Sequence, residues 1–120
     1  MPLNDPALEI GPKDLAARLA EAAAGGPGAP ALLDVRQPEE HAYVRLESSR
    51  LVPLPELAAR LDELASTFGK DAEIVAYCHH GVRSLHAAQF LRAQGFTRAR
   101  SLAGGIDAWT RTVDPSLPRY

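Results

Sequence analysis

The sequence predicts an α/β domain with a mainly parallel sheet flanked by helices. Apolar segments of strand length alternate with segments of helical periodicity, and short loops join them. A chain of 120 residues, 46% of them hydrophobic, can bury a core without a disulfide or a metal. We therefore expect one domain over residues 1–120, in which residues 1–7 form a loose N-terminal segment.

The elements of the first half follow from periodicity and from helix-breaking residues. Leu15 and Leu19 lie four apart and predict a helix over 12–24, which GGPGAP at 25–30 ends. The next elements are a strand at ALLDV (31–35), a short helix that opens at Pro38, and a weaker strand at RLVPL (50–54).

The second half repeats the alternation of helix and strand. One helical face carries four large apolar side chains, and Gly69 can end that helix; the four are Leu57, Leu61, Leu64 and Phe68. The elements that follow are a strand at 73–77, a helix that begins near Ser84 and stops at Gly95, a strand at 98–102 and a short helix within GGIDAWTRT.

The only cysteine stands at a junction that favours chemistry. Cys78 directly follows the strand IVAY, and ligands bind beyond the carboxyl ends of parallel strands. Gly81 permits a sharp loop whose amides can surround an anion, and the next helix adds its positive end. A thiol in such an electropositive setting ionises readily and is nucleophilic. Arg83 can stabilise an anion or bridge to a carboxylate that fixes the loop.

Two other interpretations of this junction have to be compared. A lone cysteine is often an inert core residue, but a core cysteine needs no HHG and arginine directly behind it. A metal site of Cys78, His79, His80 and His86 is disfavoured because adjacent residues rarely converge on one ion.

Three segments in order resemble the rhodanese family of sulfurtransferases. CHHGVRS at 78–84 resembles the family's active-site loop, LLDVRQPEEH its first signature and SLAGGIDAW its last. The ending GGIDAWTRTVDPSLPRY is most similar to rhodanese domains attached to adenylyltransferases that activate sulfur-carrier proteins. One stretch departs from the family: HAYVRLESSRLVPL stands where many relatives carry a sequence like GHIPGA.

The resemblance implies a three-layer rhodanese-like fold and a two-step transfer of sulfane sulfur. Cys78 would carry the sulfur as a persulfide, taken from a donor such as thiosulfate and passed to cyanide, a thiol or a sulfur-carrier protein. Arg83 would act with it on the anionic donor or on the shape of the loop. The expected substrate-binding residues are His79, His80, Gly81, Val82 and Ser84, and Asp34 and Arg36 are expected to support the loop. No cofactor or metal is expected.

Loop length separates sulfur transfer from related chemistries. Rhodanese-like phosphatases and arsenate reductases place the arginine six positions after the cysteine, whereas Arg83 follows Cys78 by five. The smaller ring of amides suits one terminal sulfur better than a phosphoryl group. A module that carries persulfide sulfur for a partner, with little turnover of its own, also fits these residues.

Charge and cysteine content limit the partners and the compartment. The net charge of −2 argues against a general affinity for nucleic acid or anionic membrane. A single cysteine favours a reducing compartment, and the start of the sequence shows no signal-peptide pattern, so a cytoplasmic protein is expected.

Overall fold

Parallel strands form one sheet at the centre of the molecule. The structure is a computed structural model that describes residues 8–120, so the segment expected to be loose, 1–7, lies outside the described residues. Within them the sheet has the order β1-β5-β4-β2-β3, with every neighbouring pair parallel. The strands are β1 (Glu9–Ile10), β2 (Ala31–Asp34), β3 (Arg50–Leu51), β4 (Ile74–Tyr77) and β5 (Ala99–Leu102).

Helices cover both faces of the sheet, as the α/β prediction requires. They are α1 (Pro12–Ala23), α2 (Pro38–Tyr43), α3 (Leu61–Thr67), α4 (Val82–Ala93) and α5 (Gly105–Thr112). One apolar cluster joins the sheet to α3 and α4, and a second joins it to α1 and α5. The predicted fold class is therefore confirmed. No helix among residues 8–120 is long and apolar enough to cross a membrane.

The alternation of side chains along β4 decides where the thiol points. Successive residues of a strand face opposite sides of the sheet. Ile74 and Ala76 belong to the cluster beneath α3 and α4, whereas Val75 and Tyr77 belong to the cluster beneath α1 and α5. Cys78 continues the first series and lies in the α3 and α4 cluster. The alternation of side chains along β4 thus directs the sulfur toward the start of α4.

Two predicted elements are shorter than expected. The strand expected at 50–54 is ordered as a strand only at Arg50–Leu51, since Pro53 has no N–H for a ladder. The helix expected from Leu57 begins as two turns of 3-10 helix, at Leu54–Glu56 and Ala58–Arg60, and becomes α-helical at Leu61. The two-residue strand β1 was not predicted, because so short a segment has no periodicity.

Candidate active site

The sulfur of Cys78 is enclosed by hydrogen-bond donors of the loop that follows β4. Sγ accepts from the Gly81 N–H at 3.0 Å and lies 3.4 Å from both the N–H and the hydroxyl oxygen of Ser84. The side chain is 1% exposed. This arrangement of donors around a buried sulfur favours negative charge on it.

Gly81 makes the loop tight enough for these contacts. Its φ is 103°, in the left-handed region, and a Cβ there would stand 3.1 Å from the backbone nitrogen of Gly104. Gly81 also caps α4, which begins at Val82 rather than near Ser84. The N-terminal end of a regular helix, with its partial positive charge, therefore lies beside the sulfur.

The start of α5 fixes the opposite side of the same loop. The amides of Ile106 and Asp107 donate to the carbonyls of Cys78 and His79, at 2.9 and 3.1 Å. In a trans peptide the carbonyl and the following N–H point in opposite directions. Holding these two carbonyls toward α5 therefore turns the amides that follow them away from α5.

Arg83 is held outside the loop by a carboxylate of α2. Its guanidinium donates to both oxygens of Glu40, at 2.8 and 3.0 Å. The hydrogen bonds from Arg83 lower the pKa of Glu40 to about 2, and the same hydrogen bonds raise the pKa of Arg83. Arg36, four positions before Glu40, pairs with Asp34 instead.

A second ion pair, between Arg36 and Asp34, is fully buried. Arg36 donates to both oxygens of Asp34, at 2.9 and 2.7 Å, and also to the carbonyl of Val44. Burial lowers the pKa of Arg36, but its hydrogen bonds to Asp34 and Tyr120 outweigh that effect and raise it. The ring of His41 also reaches this pair: its Nδ1 lies 2.8 Å from Asp34 Oδ2, and its side chain is partly exposed.

Tyr120 connects the two ion pairs and contacts the loop. Its hydroxyl accepts from Arg36 Nη1 at 2.8 Å and donates to Glu40 Oε2 at 2.7 Å. Its ring stacks on His79 with centroids 3.8 Å apart and planes 7° apart. Burial raises the pKa of its hydroxyl to about 12, so it remains protonated and donates. Sequence reasoning missed this residue, since contacts across 84 positions leave no local pattern.

The two loop histidines stack on each other at the rim, with centroids 3.9 Å apart. Burial, and then the charge of His80, lower the pKa of His79. Among residues 8–120, His79, His80 and Asp107 bring one ligand atom each within 4.8 Å of one another. Both Asp107 oxygens already accept from arginines, Arg111 and Arg119, so the cluster is not a ready-made cation site.

The structure brings most of the predicted site residues together at the carboxyl edge of the sheet. Ser84 contacts the sulfur directly, and Arg83 lies one residue before it. Val82 is 67% exposed, so only its backbone belongs to the loop. Glu40, Gly105 and Ser101 were not predicted as site residues. Gly105 packs closely against the loop, since a Cβ there would collide with the carbonyl oxygens of Cys78 and His79.

Comparison with known proteins decides the family. A sequence model of the rhodanese-like domain matches residues 12–112. The chain belongs to the rhodanese-like domain family. The rhodanese-like domain protein of Staphylococcus aureus superposes with a TM-score of 0.74 at 27% identity, over 93% of this chain and 97% of that one.

Curated relatives of this rhodanese-like domain include short and long proteins. A sulfurtransferase of Allochromatium vinosum is 36% identical over 80 residues, which are 67% of this chain and 71% of that protein. The adenylyltransferase and sulfurtransferase MOCS3-1 of Zea mays is 37% identical over 92 residues, or 74% of this chain. The match spans only 19% to 30% of the length of that protein and three other curated relatives.

Proposed function

We propose that this rhodanese-like domain is a sulfurtransferase that moves sulfane sulfur from a donor such as thiosulfate to a nucleophilic acceptor. The observation that carries the proposal is the Cys78 sulfur, buried at a strand end and met by amide and hydroxyl donors of one loop. Its membership in a family with sulfurtransferase relatives supports the same reaction.

The proposed reaction has two balanced steps. The Cys78 thiolate attacks the outer sulfur of thiosulfate, an S–S bond forms, and the old S–S bond breaks with its electron pair on the departing sulfite. The acceptor then attacks the outer sulfur of the persulfide, and the Cys78 thiolate leaves with its electron pair. Donors fixed around Sγ lower the energy of the anion that leaves in the second step.

The direct test is the mass of the protein after exposure to thiosulfate. We expect one added sulfur atom on Cys78, removed by cyanide with release of thiocyanate. Cys78→Ser is the matched control, since it exchanges only sulfur for oxygen. Turnover that persists in Cys78→Ser, or wild-type protein that never gains sulfur, would reject the proposal.

The same preparation tests the phosphatase alternative. Arg83 is engaged with Glu40, and the sulfur contacts the loop amides at short range. We therefore expect negligible hydrolysis of aryl phosphates under conditions that give sulfur transfer. Phosphatase activity without sulfur transfer would replace the proposal with its rival.

A protein acceptor is a second candidate for the final step. It is favoured by the relatives whose names join an adenylyltransferase to a sulfurtransferase, such as MOCS3-1. In that role Cys78 would pass its sulfur to the activated end of a sulfur-carrier protein. Single-turnover transfer to such a carrier, much faster than transfer to cyanide, would distinguish this role from that of a general enzyme.

A further inference from the structure

Behind the sulfur lies a buried hydroxyl that the proposed reaction does not use. Ser101 stands on β5, where its neighbour in register is Ala76 of β4, and it is 0% exposed. Its Oγ lies 2.7 Å from Ser84 Oγ, and Ser84 Oγ lies 3.4 Å from the sulfur of Cys78. The side chains of Ser101, Ser84 and Cys78 thus form a series of hydrogen bonds from β5 to the sulfur, which we call the hydroxyl line.

The surroundings of Ser101 decide which of the two hydroxyls donates and which accepts in the hydroxyl line. A buried hydroxyl proton needs an acceptor. Among residues 8–120, Ser84 Oγ is the hydrogen-bond partner of the Ser101 hydroxyl. If Ser101 donates to Ser84, the single proton of Ser84 is free to point at Cys78. If Ser84 donates to Ser101 instead, the proton of Ser101 has no acceptor.

The line therefore distinguishes the two protonation states of the sulfur. A sulfur anion accepts the Ser84 proton, and every hydrogen in the line then has a partner. A neutral thiol adds a hydrogen of its own, so one of the three hydrogens must lack an acceptor. Leaving a buried donor unpaired is costly, and the cost falls on the thiol form.

We propose that Ser101 is a positioning residue that acts through Ser84, committing the Ser84 hydroxyl proton to the sulfur of Cys78. Among residues 8–120 the hydrogen bond of Ser101 goes to Ser84 and not to the sulfur, so its effect reaches the thiol through the direction of that bond. The inference rests on the proposed role of Cys78. Its test measures the reactivity of the thiol instead of sulfur transfer, so either can fail without the other.

The experiment is the pH dependence of Cys78 alkylation by iodoacetamide, a small neutral reagent. Ser101→Ala removes the donor that orients the Ser84 hydroxyl, whose proton can then turn away from the sulfur to the carbonyl one helical turn back. We expect the midpoint of the profile to rise by roughly half a pH unit, and the rate near neutral pH to fall about threefold. Ser101→Thr keeps a hydroxyl on a strand position that suits β-branched residues, and should retain the wild-type midpoint.

The other titratable groups around the loop are unchanged in these variants, so a shift of the midpoint reports the hydroxyl line. They are Arg83 on α4, Glu40 on α2, the loop residues His79 and His80, Asp107 on α5, and Tyr120. Ser49→Ala is the matched control. Its hydroxyl contacts Leu46 and Tyr77 rather than the site, and its loss should leave the profile unchanged.

A double-mutant cycle separates positioning from a general effect on the fold. If Ser101 acts through Ser84, then adding Ser101→Ala to Ser84→Ala should shift the midpoint no further. An unchanged profile in folded Ser101→Ala would overturn the proposal. A shift that adds in full to that of Ser84→Ala would overturn it as well.

Discussion

At the scale of single residues, Gly105 shapes the loop that follows Cys78. A Cβ at this position would collide with the carbonyl oxygens of both Cys78 and His79, and its φ of 64° lies in the left-handed region. The absence of a side chain lets the first turn of α5 approach the loop closely enough for Ile106 and Asp107 to bind those carbonyls. Steric space at one glycine thus determines the conformation of the neighbouring loop.

Gly105→Ala should lower both stability and sulfur transfer. We expect a loss of about 3 kcal/mol in unfolding free energy, because a backbone collision adds to the conformational cost. Urea denaturation and thiosulfate turnover measure the two effects. Gly69→Ala is the control, since Gly69 also has a positive φ, of 86°, but open space around it. It should cost about 1 kcal/mol and leave turnover intact. Equal effects of the two substitutions would contradict the explanation.

Local sequence predicted the residues at the sulfur but not the groups that hold their partners. Cys78, Gly81 and Ser84 fall within one loop, where strand end, glycine and helix start are read from consecutive letters. The partner of Arg83 is Glu40, which lies 43 positions away, and no spacing rule reports such a pair. Ser101 was read only as part of a strand, because the hydroxyl line depends on the register of β5 against β4.

At the scale of elements, α2 is joined to the start of α4 through one carboxylate. Glu40 accepts from Arg83 at both oxygens, from the backbone of Gln37 at 3.0 Å and from the hydroxyl of Tyr120. Arg83 adjoins Ser84, so this ion pair helps fix the first turn of α4 against the loop. This contact favours support of the loop's shape, one of the two roles expected for Arg83, and that role stays a prediction.

The ion pair should make stability depend on pH in the acid range. The pKa of Glu40 in the folded protein, about 2, lies below its ordinary value of 4.5. The stabilisation is therefore fully present above about pH 4.5 and is lost as the pH falls toward 2. The advantage of wild type over Glu40→Gln in unfolding free energy should be no more than about 1 kcal/mol, because the pair is partly exposed. It should decrease steadily below about pH 4.5 and vanish only below about pH 2.

The comparison with Glu40→Gln separates the titration of Glu40 from that of Glu63. Hydrogen bonds from Arg60 and then from Arg50 also lower the pKa of Glu63 to about 2. Glu63 therefore titrates in the same pH range as Glu40. Glu63 is present in both proteins, so its contribution cancels in the difference. A difference in stability that stays constant from pH 6 to pH 2 would show that charge on Glu40 is not the cause.

Elements were easier to predict than their lengths. The long periodic helices α1 and α4 and the strands β2, β4 and β5 follow from apolar patterns, and each was found close to its predicted place. The region 44–60 was predicted least well. Two prolines interrupt its backbone hydrogen bonds, and its apolar residues serve both clusters, so no single period describes it.

At the scale of the whole molecule, Tyr120 returns the end of the described chain to the site. Its hydroxyl joins the buried Asp34–Arg36 pair to the Glu40–Arg83 pair, and its ring covers one face of His79. The segment after α5 thus contacts Arg36 just after β2, Glu40 in α2 and His79 in the loop. The end of the described chain therefore adds contacts at the carboxyl edge of the sheet.

Tyr120→Phe should loosen this arrangement while keeping the ring contact. Arg36 Nη1 and Glu40 Oε2 would each lose a partner, which costs about 1 kcal/mol, or roughly 3 to 5 °C in melting temperature for a domain of this size. Thermal unfolding measures the loss. Tyr43→Phe removes the same atom from a ring that touches Tyr120 and is 58% exposed, and should change little. A larger effect at Tyr43 would contradict this account of Tyr120.

The burial of Cys78, the one cysteine of the sequence, affects how oxidation of its sulfur can be reversed. A peroxide that reaches Cys78 would convert the thiolate to a sulfenic acid, which is normally rescued by a second thiol nearby. This chain contains no other cysteine, so no internal disulfide can form. Further oxidation to the sulfinic acid would be irreversible, and recovery depends on an external thiol reaching a side chain that is 1% exposed. The enclosure that surrounds the sulfur with donors also limits access to it after oxidation, so we expect repair to require a small external thiol.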